Sequence, residues 1–181
     1  CQDRSGRIDI VNFSSLIRFA PDNSTTTLTP HAAFGNLKGL TTATDGTVYF
    51  MEGNSVRKLT SSGVVVPIAG DLNEAGSVDG VGAQARFNFT SLQENGPVYG
   101  RGGAIVVDSV GNLYVGDSGN HTVRKVTAAG EVTTVAGVAG VAGNVLGSLP
   151  AGLYFPNGLA LFDDKTLFVS SRFAILKISL P

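Results

Sequence analysis

Four Asn-x-Ser/Thr triplets are the clearest chemical signal in the sequence: Asn12-Phe13-Ser14, Asn23-Ser24-Thr25, Asn88-Phe89-Thr90 and Asn120-His121-Thr122. None has proline in the middle, so each is an acceptor for N-linked glycan. With 11 Asn and 30 Ser plus Thr among 181 residues, chance supplies about two such triplets. The excess, and the position of these asparagines in turns or in a long insertion, predicts an extracellular or cell-surface glycoprotein. The competing reading is that Asn, Ser and Thr gather in turns for their own conformational reasons.

Other chemistry is thinly supplied. Asp45, Asp108, Asp117 and Asp163 sit next to turns. Together they could offer oxygens to calcium, which needs six to eight; singly, each closes an Asx turn on its own backbone, the more ordinary role. His31 and His121 are the only histidines, too few for a three-histidine catalytic metal centre. His121 is expected on a solvated hairpin tip. No Gly-x-Ser-x-Gly elbow occurs, and Asp79-Gly80-Val81-Gly82 reads as a turn, because no Lys-Ser/Thr or terminal glutamate follows. No catalytic residue, cofactor or metal site is expected. Cys1 is the single cysteine, which excludes an intrachain disulfide and leaves an intermolecular disulfide, a lipid attachment or an accident of where the chain was cut.

The composition agrees with a single domain that binds neither nucleic acid nor an anionic surface. The formal charge is -1 with 43% hydrophobic residues, enough for a sizeable core and too little field to attract phosphates. Residues 132–162 carry no charge, but Gly137, Gly140, Gly143, Gly147, Pro150 and Pro156 interrupt them, so no transmembrane segment is expected. The sequence opens on Cys1 with no leader pattern, which reads as a mature or trimmed product.

The elements that must carry these residues form a repeat. Its clearest copy has four short runs, Ala104–Val107, Leu113–Asp117, Val123–Val126 and Val132–Ala136, separated by Gly, Asn and Asp, which is the form of a four-stranded meander. Labelling the strands a to d, the chain reads bcd, abcd, abcd, abc. That is fourteen strands in about four blades, near 1–30, 31–70, 71–137 and 138–181, the first and last incomplete. The insertion from Asp71 to Arg101, rich in glycine, reads as an excursion on one rim. Arg57-Lys58 and Arg124-Lys125 read as solvated outer-strand charges, one of each pair meeting a local carboxylate.

These residues resemble the NHL-repeat β-propellers. The resemblance rests on Asp79-Gly80-Val81-Gly82-Ala83-Gln84-Ala85-Arg86-Phe87, Gly111-Asn112-Leu113-Tyr114-Val115-Gly116-Asp117, Asn120-His121-Thr122-Val123-Arg124-Lys125-Val126 and Thr133-Thr134-Val135-Ala136-Gly137. The Pro-x-Gly step that usually precedes strand a is present at Pro156-Asn157-Gly158 and lacks its proline at Leu37-Lys38-Gly39. The resemblance implies an all-β propeller acting as a structural or binding module. The alternative is a lyase- or hydrolase-like propeller using carboxylates or calcium at the axial channel, although the amidating lyases similar to this family use a multi-histidine metal centre. Incomplete end blades and the apolar run Phe173–Leu180 predict association with copies of itself, head to tail, as an oligomer or fibril; the alternatives are a compact small propeller and a fragment of a longer one. Protein or glycan ligands are further candidate partners.

Overall fold

The structure is a computed structural model and describes residues 6–12, 15–29, 37–60, 62–89 and 103–180. Among the described residues fifteen strands form four antiparallel sheets. The first sheet holds β1 (Ile8–Asn12), β2 (Ser15–Phe19) and β3 (Thr25–Thr27); the second holds β4 (Leu37–Thr42), β5 (Val48–Glu52), β6 (Asn54–Leu59) and β7 (Val65–Asp71). The third contains β8 (Gly80–Val81), β9 (Ile105–Val107), β10 (Leu113–Asp117), β11 (Thr122–Val126) and β12 (Glu131–Ala136); the fourth contains β13 (Pro156–Asp163), β14 (Thr166–Ser171) and β15 (Ala174–Ser179). Among the described residues no helix is long and apolar enough to cross a membrane.

Alternation of apolar side chains makes each sheet two-faced, and stacking the sheets buries both faces of the inner ones. Leu16, Val48, Phe50 and Leu59 fill the space between the first and second blades. Met51, Val56, Phe87, Val115 and Val126 fill the second boundary, and Tyr114, Val123, Leu153, Leu167 and Val169 the third. The innermost strands converge: β1 contacts β4, β4 contacts β9, and β9 contacts β13. Convergence leaves no room for side chains at two points. A Cβ on Gly39 would lie 2.0 Å from the carbonyl oxygen of Gly103, and one on Gly116 would lie 2.6 Å from that of Pro156.

Fourteen strands follow the repeat pattern, and the fifteenth, β8, corrects the expected count. It comes from the insertion and pairs with the outer edge of β12, Gly80 opposite Val132 and Val81 opposite Glu131. The insertion is therefore not a simple rim excursion. Ala85, Phe87 and Phe89, spaced by two, are all buried between the second and third blades, as period-two alternation in an extended segment requires.

A second connector has the same shape. Gly70 and Gly137 leave their blades with φ of 85° and 84°, and Gly80 and Gly147 follow with φ of 157° and 148°. Gly76 N–H donates to the Phe87 carbonyl at 3.0 Å, as Gly143 N–H does to Leu153 at 3.0 Å. Val78 and Arg86 exchange backbone hydrogen bonds, as do Val145 and Gly152. Residues 70–89 and 137–155 are thus two copies of one device, each closing onto the blade that follows it.

Candidate functional site

The charges cluster where the first connector meets the third blade. Asp117 ends β10 and Arg124 lies two residues into β11 from Thr122, its cross-strand partner. Both side chains are fully buried, and Arg124 Nη1 donates to Asp117 Oδ2 at 2.9 Å. The connector completes the cluster. Asp79 Oδ1 accepts from Arg124 Nη2 at 2.5 Å, Asn88 N–H donates to Asp117 Oδ1 at 2.7 Å, and Phe87 presents its ring 5.2 Å from the guanidinium. Asp79 also accepts from the backbone N–H and the hydroxyl of Thr134 on β12, both at 3.1 Å. Burial raises the Asp117 pKa, while hydrogen bonds from Asn120 and Asn88 and the Arg124 charge pull it down. The cluster binds connector to blade. Arg124 is thus not a solvated outer-strand charge, and Asp117 is not an Asx-turn residue. Asp79, read as part of a turn, is the third member. In the second blade Glu52 pairs with Arg57 in the same relation.

His121 and Asn120 are also displaced from their expected exposure. His121 is 6% exposed and Asn120 8%. The second connector folds over His121, whose Nδ1 accepts the Phe155 N–H at 3.2 Å and whose ring lies 4.5 Å from Phe155 and 5.6 Å from Tyr154. Burial holds its pKa below the usual value of 6.5. Asn120 Nδ2, the atom a glycan would occupy, donates to the Gly76 carbonyl at 2.7 Å and to Asp117 Oδ2 at 2.8 Å. A glycan there would break both bonds, so Asn120 is removed from the acceptors available on the folded surface.

The remaining predicted positions are dispersed. Asn23 is exposed at a turn with φ of 64°. Asn88 is half-buried, its side chain against Gly119. Asn12 ends β1, and Phe13, Ser14 and Cys1 lie outside the described residues, as does His31. Asp45, Asp108 and Asp163 each close an Asx turn, accepting from the N–H of Thr47 at 2.8 Å, of Val110 at 3.1 Å and of Lys165 at 2.8 Å. Asp108 and Asp163 share the lining of a 330 Å³ cavity at the ends of β4, β9 and β13, where Asp164 Oδ1 accepts the Ser109 N–H at 3.0 Å. Among the described residues no three His, Cys, Asp or Glu side chains form a group that could hold a metal ion.

Sequence reasoning passed over Lys38. Set in the innermost strand β4, it donates to the Phe89 carbonyl at 2.9 Å, and burial lowers its pKa to about 8 against the opposing pull of Asp117. A lysine in β4, the innermost strand of its blade and otherwise uncharged, was the available signal.

The outward faces of the end blades are apolar. On the fourth blade Phe162, Phe168 and Ile175 are 78%, 36% and 78% exposed, and on the first Ile8 and Ile10 are 44% and 39% exposed.

Solved structures share this arrangement. A protein of unknown function from Bacteroides thetaiotaomicron is 22% identical over 98% of this chain and 46% of its own, with a TM-score of 0.80. An auxiliary nutrient binding protein from Bacteroides ovatus is 21% identical over 97% of this chain and 46% of its own, TM-score 0.74. A streptogramin B lyase is 16% identical over 98% of this chain and 52% of its own, TM-score 0.58. The fold is that of a β-propeller. No protein-family model matches the chain, and no curated protein matches it by sequence. The chain spans about half the length of these neighbours.

Proposed function

We propose that this chain is a non-catalytic binding and structural module of the NHL type, belonging to an extracellular glycoprotein, which joins copies of itself head to tail through its end blades. The observation that carries the reading is positional. Cross-strand register makes Ala160, Phe168 and Ile175 on the free face of the fourth blade the equivalents of Val106, Tyr114 and Val123, which pack the third blade against the fourth. Ile8 and Ile10 on the first blade are likewise the equivalents of Leu113 and Val115, which face the preceding blade. One end offers the face that receives a following blade, the other the face that receives a preceding one. A contact between them is heterologous, and a closed pair would contain eight blades, within the roughly four to eight at which propellers close.

The charged groups support a role without catalysis, since Arg124, Asp117 and Asp79 are engaged with one another and His121 accepts a backbone hydrogen bond. The nutrient binding neighbour favours a binding role, and protein or glycan ligands are part of this proposal. Glycan at Asn12, Asn23 and Asn88 and a disulfide or lipid at Cys1 belong to the same reading. Mixing two single variants tests it. Ile10→Asp disables one face and Phe168→Asp the other, so neither variant associates alone, and together they form a dimer across the intact pair of faces. Absence of the mixed dimer, with both variants folded and the unmodified chain monomeric, contradicts head-to-tail joining.

A further inference from the structure

The junction between the first and second blades differs from the junction that follows it. Between the second and third blades the short 3-10 turn Gly82–Gln84 of the first connector packs against β7, and Gly82 N–H donates to the Gly130 carbonyl at 2.9 Å. The link from β3 to β4 is residues 28–36 only, against residues 72–104 from β7 to β9. The walls of the two junctions are nonetheless equivalent. Thr26 and Thr27 of β3 take the places of Val66 and Pro67 of β7, by their pairing with Arg18 and Ile17. Thr60, Ser62 and Gly63 repeat Thr127, Ala129 and Gly130, Gly63 N–H donating to the Thr60 carbonyl at 2.9 Å as Gly130 N–H does to that of Thr127 at 2.8 Å. Between these walls lies a cleft of about 490 Å³. The Gly63 carbonyl, unlike that of Gly130, receives no hydrogen bond among the described residues.

We infer that this cleft is a binding site for one neutral sugar ring of a glycan, an inference that rests on the binding role proposed above. Its lining is rich in hydroxyls, Thr26 and Thr27 from one wall and Thr47, Thr60 and Ser62 from the other. A hydroxyl both donates and accepts, as the hydroxyls of a sugar ring do, and the open Gly63 carbonyl adds an acceptor. Charge selects against an anion. Arg7 and Arg18 line the cleft with Asp45, but the buried Asp9 holds Arg18 by two bonds, accepting from Nε at 2.7 Å and from Nη2 at 2.8 Å. Two guanidinium groups thus stand against two carboxylates, and a phosphate or sulfate finds no surplus positive charge to pair with. Among the described residues no aromatic side chain lines the cleft, which disfavours a planar ring that would need stacking. The buried Val48 and Leu59 supply aliphatic surface for the C–H face of a sugar, and the volume lies within the roughly 300–1,000 Å³ of small-ligand sites.

The test uses the full chain carrying Phe168→Asp, on the free face of the fourth blade, so that joining of copies does not broaden the spectra. The probes are the methyl pyranosides of glucose, galactose, mannose and N-acetylglucosamine, each titrated separately in proton–nitrogen correlation spectra, with sodium sulfate as the anion arm. At least one pyranoside is expected to shift the amides of Thr26, Thr60 and Gly63 saturably, with a Kd of about 1 mM, the scale that a single ring reaches. Thr26→Trp, which fills the cleft from an exposed strand, weakens that binding at least about tenfold by a clash with the ligand. Thr133→Trp, the equivalent exposed position in the third blade, leaves it unchanged. No amide shifted by any pyranoside, or equal binding by Thr26→Trp, overturns the site. Sulfate shifting these amides in place of the sugars overturns the neutral-sugar assignment. Pyranoside shifts confined to residues outside the cleft overturn the site and leave the binding role standing. Binding in the cleft by a chain whose unmodified form stays monomeric overturns head-to-tail joining instead and leaves the site standing.

Discussion

The connectors entering the third and fourth blades follow one backbone path and hold it with different chemistry. At the third blade the buried pair Asp117 and Arg124 is joined at its rim by the half-exposed Asp79, and Asn88 N–H ends on the Asp117 carboxylate at 2.7 Å. At the fourth, Leu146, Ser171 and Leu176 stand in those places, and Tyr154 N–H ends on the Ser171 hydroxyl at 2.7 Å. Backbone geometry is therefore the constant of the repeat, and either a carboxylate or a hydroxyl suffices to receive the connector. The ionic form requires both of its buried members, Asp117 and Arg124, because a buried charge without its partner is far costlier than the pair is favourable.

That contrast predicts the largest effect. Arg124→Leu should lower unfolding stability by about 3–5 kcal/mol by stranding Asp117, whereas Asp79→Leu, Asp117→Ser and Arg124→Leu together, the set of the fourth blade, should regain most of the loss in urea titrations followed by circular dichroism. A triple variant no more stable than Arg124→Leu alone breaks the equivalence. Apolar anchors should behave alike in the two connectors: Phe87→Ala is expected to cost about 3–5 kcal/mol and Leu153→Ala about 2–5 kcal/mol. A Phe87→Ala loss near zero would return the first connector to a rim decoration.

Smaller effects separate Tyr114 from His121. Tyr114→Ala should cost about 3 kcal/mol and His121→Ala about 1–2 kcal/mol, through a lost hydrogen bond and ring packing at a residue with left-handed φ of 60°. His121 also sets a pH dependence. Its folded pKa lies below 6.5 because burial disfavours the charged ring, so its contribution is complete above 6.5 and is lost as pH falls through the lowered folded value. The urea midpoint of the unmodified chain should fall between about pH 7 and pH 5 more than that of His121→Asn, which tolerates the left-handed backbone and does not titrate. An equal or reversed slope contradicts the neutral, accepting imidazole.

The strands were legible because their signals are local: β-branched alternation marks β9 to β12, and Asp45, Asp108 and Asp163 close turns within four residues of themselves. Asp117 is the same residue type beside a similar turn, and its role could not be read the same way. Its cluster is completed by Asp79, whose bond to Arg124 joins positions 45 residues apart. His121 and Asn120 carry the local marks of an exposed hairpin tip, yet residues 137–155 cover His121 and Gly76 binds Asn120. Ala85, Phe87 and Phe89 did carry a local signal, three apolar residues at period two, diluted by the surrounding glycines.

The end faces are the centre of this account, and the mass of the chain in solution tests them most directly. Light scattering of the unmodified chain over a concentration series should report multiples of 18.6 kDa plus any glycan, reaching a closed pair or a longer head-to-tail series. A single species of 18.6 kDa plus glycan at every concentration, with the strand content intact, would contradict it.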